Sequence, residues 1–411
     1  MEVSFQNFSP ESLLKSFQID QNPIFVTIPC FAEEELMTTL YSLDQCKECG
    51  KKPVVILLVN SPEGVDPEIL NKNKTAYLQA KYSKFESIAI FPVHVYEIPK
   101  RIAGVGLARR MAMDTASFLY RHLNKENQPI LCLDADSAVE KNYLREVVRF
   151  FEKNPNTAAV SIHFEHPYTE EEDLVLKNGI IDYELHLRYF IEAQRWAGHP
   201  HAYQTIGSSM AVRSSDYRKQ GGMNKRKAGE DFYFLHKFSR INALADLNST
   251  TVYPAVRVSD RVPFGTGKAL KDIKDGKKFS TYSFSTFIDL KKVIDGVNKL
   301  IKGSGMDLKD IFPTTFFECF GHEQISAAIS ESMKNSSSPE NFEKRFYYWF
   351  DAFKVFKFAH YCRDNCYPNQ EVLSAVNNFF DFCETETTFE SNVDALEYMR
   401  FQIKTVNFIE R

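Results

Sequence analysis

The sequence predicts an α/β protein: a mostly parallel sheet flanked by helices, followed by an α-helical C-terminal region. Three observations carry this. Short apolar runs alternate with stretches of helical spacing through the first half, which is the pattern of βαβ units. Several runs end in turn-forming residues at the point where a parallel strand would stop. From about Ser285 onward, large aromatics recur at helical intervals instead.

Taken in order, Ile24–Ile28 is an apolar strand closed by Pro29, and Val54–Val59 is a second closed by Asn60-Ser61-Pro62. Ile88–Tyr96 is a third, weakened by Pro92; Pro129–Leu133 is a fourth that runs straight into Asp134; Ala158–Phe164 is a fifth. Between them, Glu33–Leu43 and Ala108–His122 have helical spacing. The stretch from Val160 to Val262 shows no repeat and reads as a continuation of the same domain. Further on, Phe287, Leu290, Ile294, Val297 and Ile301 follow 3-4-3-4 spacing, with Gly303-Ser-Gly305 as a stop. A second helix carries Phe342, Phe346, Trp349, Phe353 and Phe356, with Ser338 as N-cap and Pro339 at its first position. Core packing accounts for such a stripe, and an exposed patch would be needed to make it a docking surface. The expected domains are therefore 1–284 and 285–411.

Composition narrows the partners. The 411 residues are 44% hydrophobic and 25% charged with a net charge of −4, a globular profile that excludes disorder as the main theme. No basic excess is available to bind a phosphate backbone, so no nucleic-acid partner is expected. Even the apolar stretch Phe342–Phe358 is broken by Glu343, Lys344, Arg345, Asp351 and Lys354, so no spanning helix is expected. The first twenty residues lack the basic and apolar regions of a signal peptide, which implies a cytoplasmic start, with peripheral contact at the inner face of a membrane left open. Eight cysteines are few for a disulfide scaffold, and Cys46-Lys-Glu-Cys49 has no second pair to complete a zinc site.

In open parallel sheets, ligands sit outside the carboxyl ends of the strands, here Pro29, Asn60 and Asp134. Two carboxylates follow the fourth strand in Asp134-Ala-Asp136. Like charges so close raise one another's pKa, and a divalent cation bridging to phosphate oxygens relieves the conflict; helix capping is the plainer use. A second acid pair, Glu230-Asp231, heads an aromatic helical run after the basic, glycine-containing loop Arg218–Lys227. An ionised carboxylate there can accept a proton from a hydroxyl, or it can simply complement the helix dipole.

Together these segments resemble an inverting family 2 glycosyltransferase of the GT-A, Rossmann-like fold. The resemblance covers about residues 22–265. It rests on Ile24–Glu35 as opening strand and loop, on Gly106-Leu-Ala-Arg-Arg-Met111, and on Asp134-Ala-Asp136 as the metal-binding Asp-x-Asp. Gly207-Ser-Ser-Met-Ala-Val-Arg213, Gly221-Gly222 and Gly229-Glu-Asp231 then follow in the order of the acceptor half. The resemblance implies a donor half at about 22–137 and an acceptor half at about 138–284. It also implies nucleotide contacts from Pro29, Phe31, Glu33, Asn60 and Arg109, and a ribose or metal contact from Asp134. Asp136 would be the direct ligand of Mn²⁺ or Mg²⁺, and Asp231 the general base supported by Glu230. Ala32 departs from the pattern, standing where Asn is usual, and Asn60 stands where an Asp is common.

The activity implied is transfer of a sugar from a nucleotide-sugar donor, expected to be UDP-linked, to a hydroxyl acceptor on a glycan, a lipid-linked carrier or a small molecule. Arg257 and Arg261, in a glycine-hinged stretch followed by Lys271, Lys274, Lys277 and Lys278, suggest a basic lid over the diphosphate, or else a solvated loop. Gly265-Thr-Gly-Lys268 lacks the spacing of a P-loop. Gln194-Arg-Trp196 precedes the acid pair and lacks the spacer of the processive-synthase signature. His163, His166 and His199 read as ordinary polar or core residues, with His201 the one that could lie near the acceptor. Two alternatives compete. A non-catalytic nucleotide-sugar-binding or partner-docking protein would show no metal-dependent donor binding. A sugar nucleotidyltransferase would carry a Gly-rich, basic loop after the first strand, which Pro29–Glu33 is not.

Overall fold

Ile24–Ile28 and Val54–Val59 become the middle of a sheet because side chains on both faces of each run are removed from water: every residue from Pro23 to Cys30 and from Pro53 to Ser61 is buried. The computed structural model describes residues 1–14, 22–226, 228–260, 265–303, 307–383 and 387–405. Its strands are β1 (Glu2–Ser4), β2 (Pro23–Cys30), β3 (Lys52–Pro62), β4 (Ala89–Ile98), β5 (Pro129–Cys132), β6 (Ser137–Val139), β7 (Ala159–Phe164), β8 (Met210–Arg213) and β9 (Leu244–Pro254). They form one sheet in the order β1-β4-β3-β2-β5-β8-β7-β9-β6. The pairs β1–β4, β4–β3, β3–β2, β2–β5 and β7–β9 are parallel, and β8 and β6 run antiparallel to their neighbours. The expected mixed α/β architecture with a mostly parallel sheet is what the chain adopts.

Both strand prolines have a structural account. β2 pairs with β5 only from Phe25 to Thr27, so at Pro29 one side of the strand no longer needs a donor, and β2 continues to Cys30 instead of stopping before Pro29. Pro92 lies ahead of the β1 pairing, which begins at His94, so β4 runs through it. Helices Leu36–Asp44, Pro67–Tyr82 and Val105–His122 connect the parallel strands, and the 105–122 helix is longer at its start than its spacing alone implied. After building β2, β3 and β4 outward in one direction, the chain returns across the sheet to place β5 on the other side of β2. The order therefore reverses between β2 and β5, which makes their carboxyl ends the place for a ligand.

The chain divides into two compact units, Met1–Glu171 with Thr205–Lys268, and Glu172–Gln204 with Ala269–Arg411. The boundary thus falls at 268/269 and not at 284/285, and residues 172–204, read from the sequence as part of the sheet domain, are in the helical unit. The reason is visible in the 24-residue helix Leu174–Ala197. Glu184 on it is fully buried and holds two guanidinium groups of the same unit, Arg188 Nη2 at 2.7 Å and Arg400 Nη2 at 2.8 Å. A buried carboxylate must be paired, and the pairing partner here lies 216 residues away.

Also in the helical unit, helix Phe284–Ile301 buries Phe287, Leu290, Ile294 and Val297 as the spacing requires. Ser338 caps Pro339–Trp349 by accepting the Asn341 N–H. The predicted single helix through Phe356 is two, because Asp351 caps a new helix, Ala352–Asn365, and His199 Nε2 donates to the Phe350 carbonyl that a continuous helix would use itself. Phe342 and Phe346 are core residues, whereas Phe353 and Phe356 are exposed. No helix among the described residues is long and apolar enough to cross a membrane.

One residue of the resembling acceptor-half segment is spent on architecture. Arg213 closes β8 and donates to four carbonyls, Thr157, Asn127, Phe151 and Asn154, at 2.6–2.9 Å, of which Phe151 and Asn154 belong to the end of helix Tyr143–Lys153. The fork supplies the donors that the helix terminus lacks and a cation for its negative end. Arg213→Met leaves these acceptors unpaired and is expected to cost about 3 kcal/mol, measured as a lower midpoint of urea unfolding. Arg213→Lys, which keeps the charge without the fork, is expected to recover only part of that.

Candidate functional site

The carboxyl ends of β2, β3 and β5 deliver the first set of side chains. After β2, the chain turns through Phe31 and Ala32 to bring Glu33 inward, where it is 8% exposed. Ala32 sits at φ +50°, the left-handed region that an Asn tolerates better than an Ala. β3 breaks register between Asn60 and Pro62, and Asn60 is buried at that break. β5 stops at Cys132, and a turn closed by Ser137 N–H donating to the Asp134 carbonyl presents Asp134 and Asp136 before β6 begins. Thr39 steadies the turn by donating from its hydroxyl to the Ala135 carbonyl at 3.0 Å.

A buried arginine gathers the second set. Arg109 lies in the first turns of helix 105–122 and is 2% exposed. Its Nη1 donates to the Gly207 carbonyl at 2.6 Å, its Nη2 to Asp134 Oδ1 at 2.9 Å, and its Nε lies 3.4 Å from Glu230 Oε1. Burial works against the charge, and Asp134 and Glu230 restore it, so that the guanidinium stays protonated. Glu230 and Asp231 open helix Glu230–Ser239 directly after Gly229, whose φ of +68° lets the chain turn into the helix. Asp231 Oδ1 accepts the Phe232 N–H at 2.8 Å. Burial raises both acids of this pair against the lowering effect of Arg109, Glu230 to about 7.

Beside it stands a second cluster. Arg257, just past β9, donates from Nε to Asp136 Oδ2 at 2.7 Å and from Nη2 to Glu33 Oε2 at 2.7 Å. Its side chain is 31% exposed, in contrast to the enclosed Arg109. The four acids Asp134, Asp136, Glu230 and Asp231, and Glu33 with them, are therefore drawn to one end of the sheet by two arginines. The basic loop is tied down as well. Arg110 Nη1 donates to the Met223 carbonyl at 2.8 Å, and Lys237 Nζ to the Gly222 carbonyl at 2.8 Å. Gly106 is required where that loop crosses the start of helix 105–122, since a Cβ would meet the Arg226 carbonyl oxygen at 2.1 Å.

Of the residues expected from the sequence, Glu33, Arg109, Asp134, Asp136, Glu230 and Asp231 converge on these two clusters, and Pro29, Phe31 and Asn60 lie at the adjoining strand ends. Arg261 falls outside the described residues. Among the histidines, His163 pairs with Glu165 at 2.9 Å, and His199 and His201 reach the carbonyls of Phe350 and Tyr347 within the helical unit. The lid lysines Lys274, Lys277 and Lys278 pair with Asp173, Asp272 and Glu371 in that unit. Asn73 was missed. It is fully buried, accepts the Ala32 N–H at 2.7 Å and donates to the Asn60 carbonyl at 3.1 Å. Its signal was its place in the stripe Asn73, Ala76, Tyr77, Ala80, an amide on the face a helix buries.

No family model matches the chain, and no curated protein matches it. Among solved structures, it is similar to the crystal structure of S. aureus TarS 1-349 in complex with UDP-GlcNAc, at 14% identity over 93% of this chain and 91% of that one, with a TM-score of 0.38. It is also similar to S. aureus TarS 1-349 in complex with UDP, at 13% identity over 82% and 90% of the two chains, with a TM-score of 0.35. At such values the likeness carries no functional argument.

Two outcomes follow from the geometry. A Cβ at position 207 would lie 2.5 Å from Arg109 Nη2 and 3.0 Å from its Cζ. Gly207→Ala is expected to displace the guanidinium and lower stability by about 2–4 kcal/mol, seen in thermal unfolding. Glu230 titrates near 7 when folded against 4.5 for the unfolded chain, so the folded state holds the extra proton and loses stability as pH rises through that interval. From pH 5 to pH 8 the natural chain is expected to lose stability relative to Glu230→Gln, whatever the offset between the two at pH 5, by an amount on the order of 1–3 kcal/mol, measured by urea unfolding of both at each pH.

Proposed function

We propose that the chain is a glycosyltransferase that moves a sugar from a UDP-linked donor to a hydroxyl acceptor, with inversion at the anomeric carbon. The observation that carries this reading is the convergence of Asp134, Glu230 and Asp231 on buried Arg109 at the point where the strand order reverses, beside Asp136, Glu33 and Arg257. The fold offers a nucleotide the carboxyl ends of β2 and β3, where Pro29, Phe31, Glu33 and Asn60 stand. It offers the departing diphosphate the cation Arg257, which is accessible enough to turn from its two carboxylates toward an anion.

Chemistry then falls to the acid pair. Asp231 takes the proton of the acceptor hydroxyl as its oxygen attacks the anomeric carbon from the face opposite the diphosphate, whose bond to that carbon breaks. Glu230, buried against Arg109, holds the guanidinium that in turn orients Asp134. The carboxylates Asp134 and Asp136 suit a Mn²⁺ or Mg²⁺ ion of the kind held by one or two carboxylates plus substrate phosphates, since each commits one oxygen to an arginine and keeps the other. Such an ion supplies charge to stabilise the leaving diphosphate.

The test is nucleotide release from a panel of UDP- and GDP-sugars with Mn²⁺. Asp231→Asn is expected to lower turnover about 10²–10⁴-fold while leaving UDP affinity within a few-fold. Asp136→Ala is expected to remove the dependence of UDP binding on the metal. A chain that binds no nucleotide, with or without Mn²⁺, would instead be a non-catalytic docking protein.

A further inference from the structure

The two loops given above to the nucleotide are joined by a single side chain, and that side chain is itself held from behind. Asn73 accepts from Ala32 N–H with Oδ1, and so its Nδ2 carries the donors, one to the Asn60 carbonyl and one to Ser61 Oγ at 2.9 Å. Ser61 Oγ lies 2.9 Å from His94 Nε2, and His94 Nδ1 lies 3.2 Å from Glu2 Oε1 on β1. Asn73, Ser61 and His94 are each buried to within 1% of their surface.

The protons in this line can be placed. Glu2 offers only an acceptor, so the hydrogen of the neutral ring is on Nδ1, and Nε2 is left bare. Ser61 must then donate to Nε2, which leaves its lone pairs for Asn73. The direction runs without a break from Asn73 through Ser61 and His94 to the carboxylate of the edge strand. Asn73 in turn keeps Ala32 in its left-handed conformation, which is unfavourable for an alanine by about 1–2 kcal/mol.

We infer that His94 is a positioning residue for the nucleotide loops: with its proton on Nδ1 it fixes Ser61 and Asn73, and through them the backbone at Ala32 and Asn60. The inference rests on the reading that these loops hold the nucleoside. A second proton on Nε2 would make the ring a donor to Ser61, whose two lone pairs would then be taken by the ring and Asn73 while its buried O–H lost the acceptor it had, so the line would be weakened by one unsatisfied donor. The surroundings oppose that proton. Burial lowers the His94 pKa first of all, and Lys74 from the neighbouring helix and the α-amino group of Met1 add to it, while Glu2 works the other way. The Tyr77 and Tyr96 rings flank the imidazole, at 5.9 and 6.2 Å between centroids.

The experiment measures UDP affinity by calorimetry between pH 5.5 and 8, together with hydrogen exchange at the Ala32 amide, in the full chain and in His94→Gln, Glu2→Gln, Ser61→Ala and Ser61→Thr. The titration of UDP itself is common to all. Beyond it, the natural chain is expected to lose UDP affinity about tenfold on the acid side, and His94→Gln, which keeps an acceptor but has no proton to gain, is expected to lose none. Glu2→Gln, at an exposed position where folding is not at risk, moves the acid limb to lower pH because the group that favours the charged ring is gone. Ser61→Ala weakens UDP about tenfold at every pH and speeds Ala32 exchange, and Ser61→Thr restores both. If the natural chain binds UDP and all variants match it in affinity, pH course and Ala32 exchange, the positioning role is overturned and the proposed function stands. If the natural chain binds no nucleotide, both are overturned.

Discussion

A guanidinium that cannot reach water sets the conditions for everything around it. Arg109 is buried in the first turns of a helix, where a cation is doubly unfavourable, away from water and near the positive end of the helix dipole. It is tolerable only because acids from two other parts of the chain close around it, Asp134 from the end of β5 and Glu230 with Asp231 from the start of another helix. The dependence is mutual. Without the guanidinium, burial would drive these acids further toward their neutral forms, and without the acids the helix could not carry its arginine inside. Gly207 is the hydrogen atom that lets the backbone come close enough to accept the third contact.

The second arginine is held differently and so serves differently. Arg257 makes short contacts with Asp136 and Glu33 but keeps about a third of its side chain in water. Its release costs less, because water can replace what the carboxylates give up. One arginine is thus enclosed by its acids, while the other keeps water as an alternative partner. Behind both, the strained turn at Ala32 is held by an amide that has no freedom of its own, since Asn73 spends both ends on the loops and leans on Ser61.

The strand runs, the acid pairs and the Ser338 cap were legible because each depends on near neighbours. Burial on both faces makes a run continuously apolar; one-face burial makes a 3-4 stripe; a cap needs one oxygen within three residues. The same reasoning explains the misplaced features. Asp351 and a carbonyl taken by His199 split what the stripe Phe342–Phe356 presented as one helix. The helix Leu174–Ala197 went to the other unit on the strength of a buried carboxylate whose partner, Arg400, stands far along the chain.

By itself, then, the sequence determined the α/β class, the strands β2, β3, β4, β5 and β7, and the acids that follow β5, since hydrophobic period and turn chemistry are local properties, whereas the short or less apolar β1, β6, β8 and β9 were not legible. It did not determine which charges share a site. Arg109 meets Gly207 across 98 residues and Arg257 meets Asp136 across 121, and no periodicity reports such distances. Only the tertiary structure decided that Arg109 is an interior counter-charge and not a surface contact, and that Asn73 holds the loops. A charge or an amide has the same spelling whether it faces water or a carboxylate, and its meaning is settled by what the fold brings within hydrogen-bond reach.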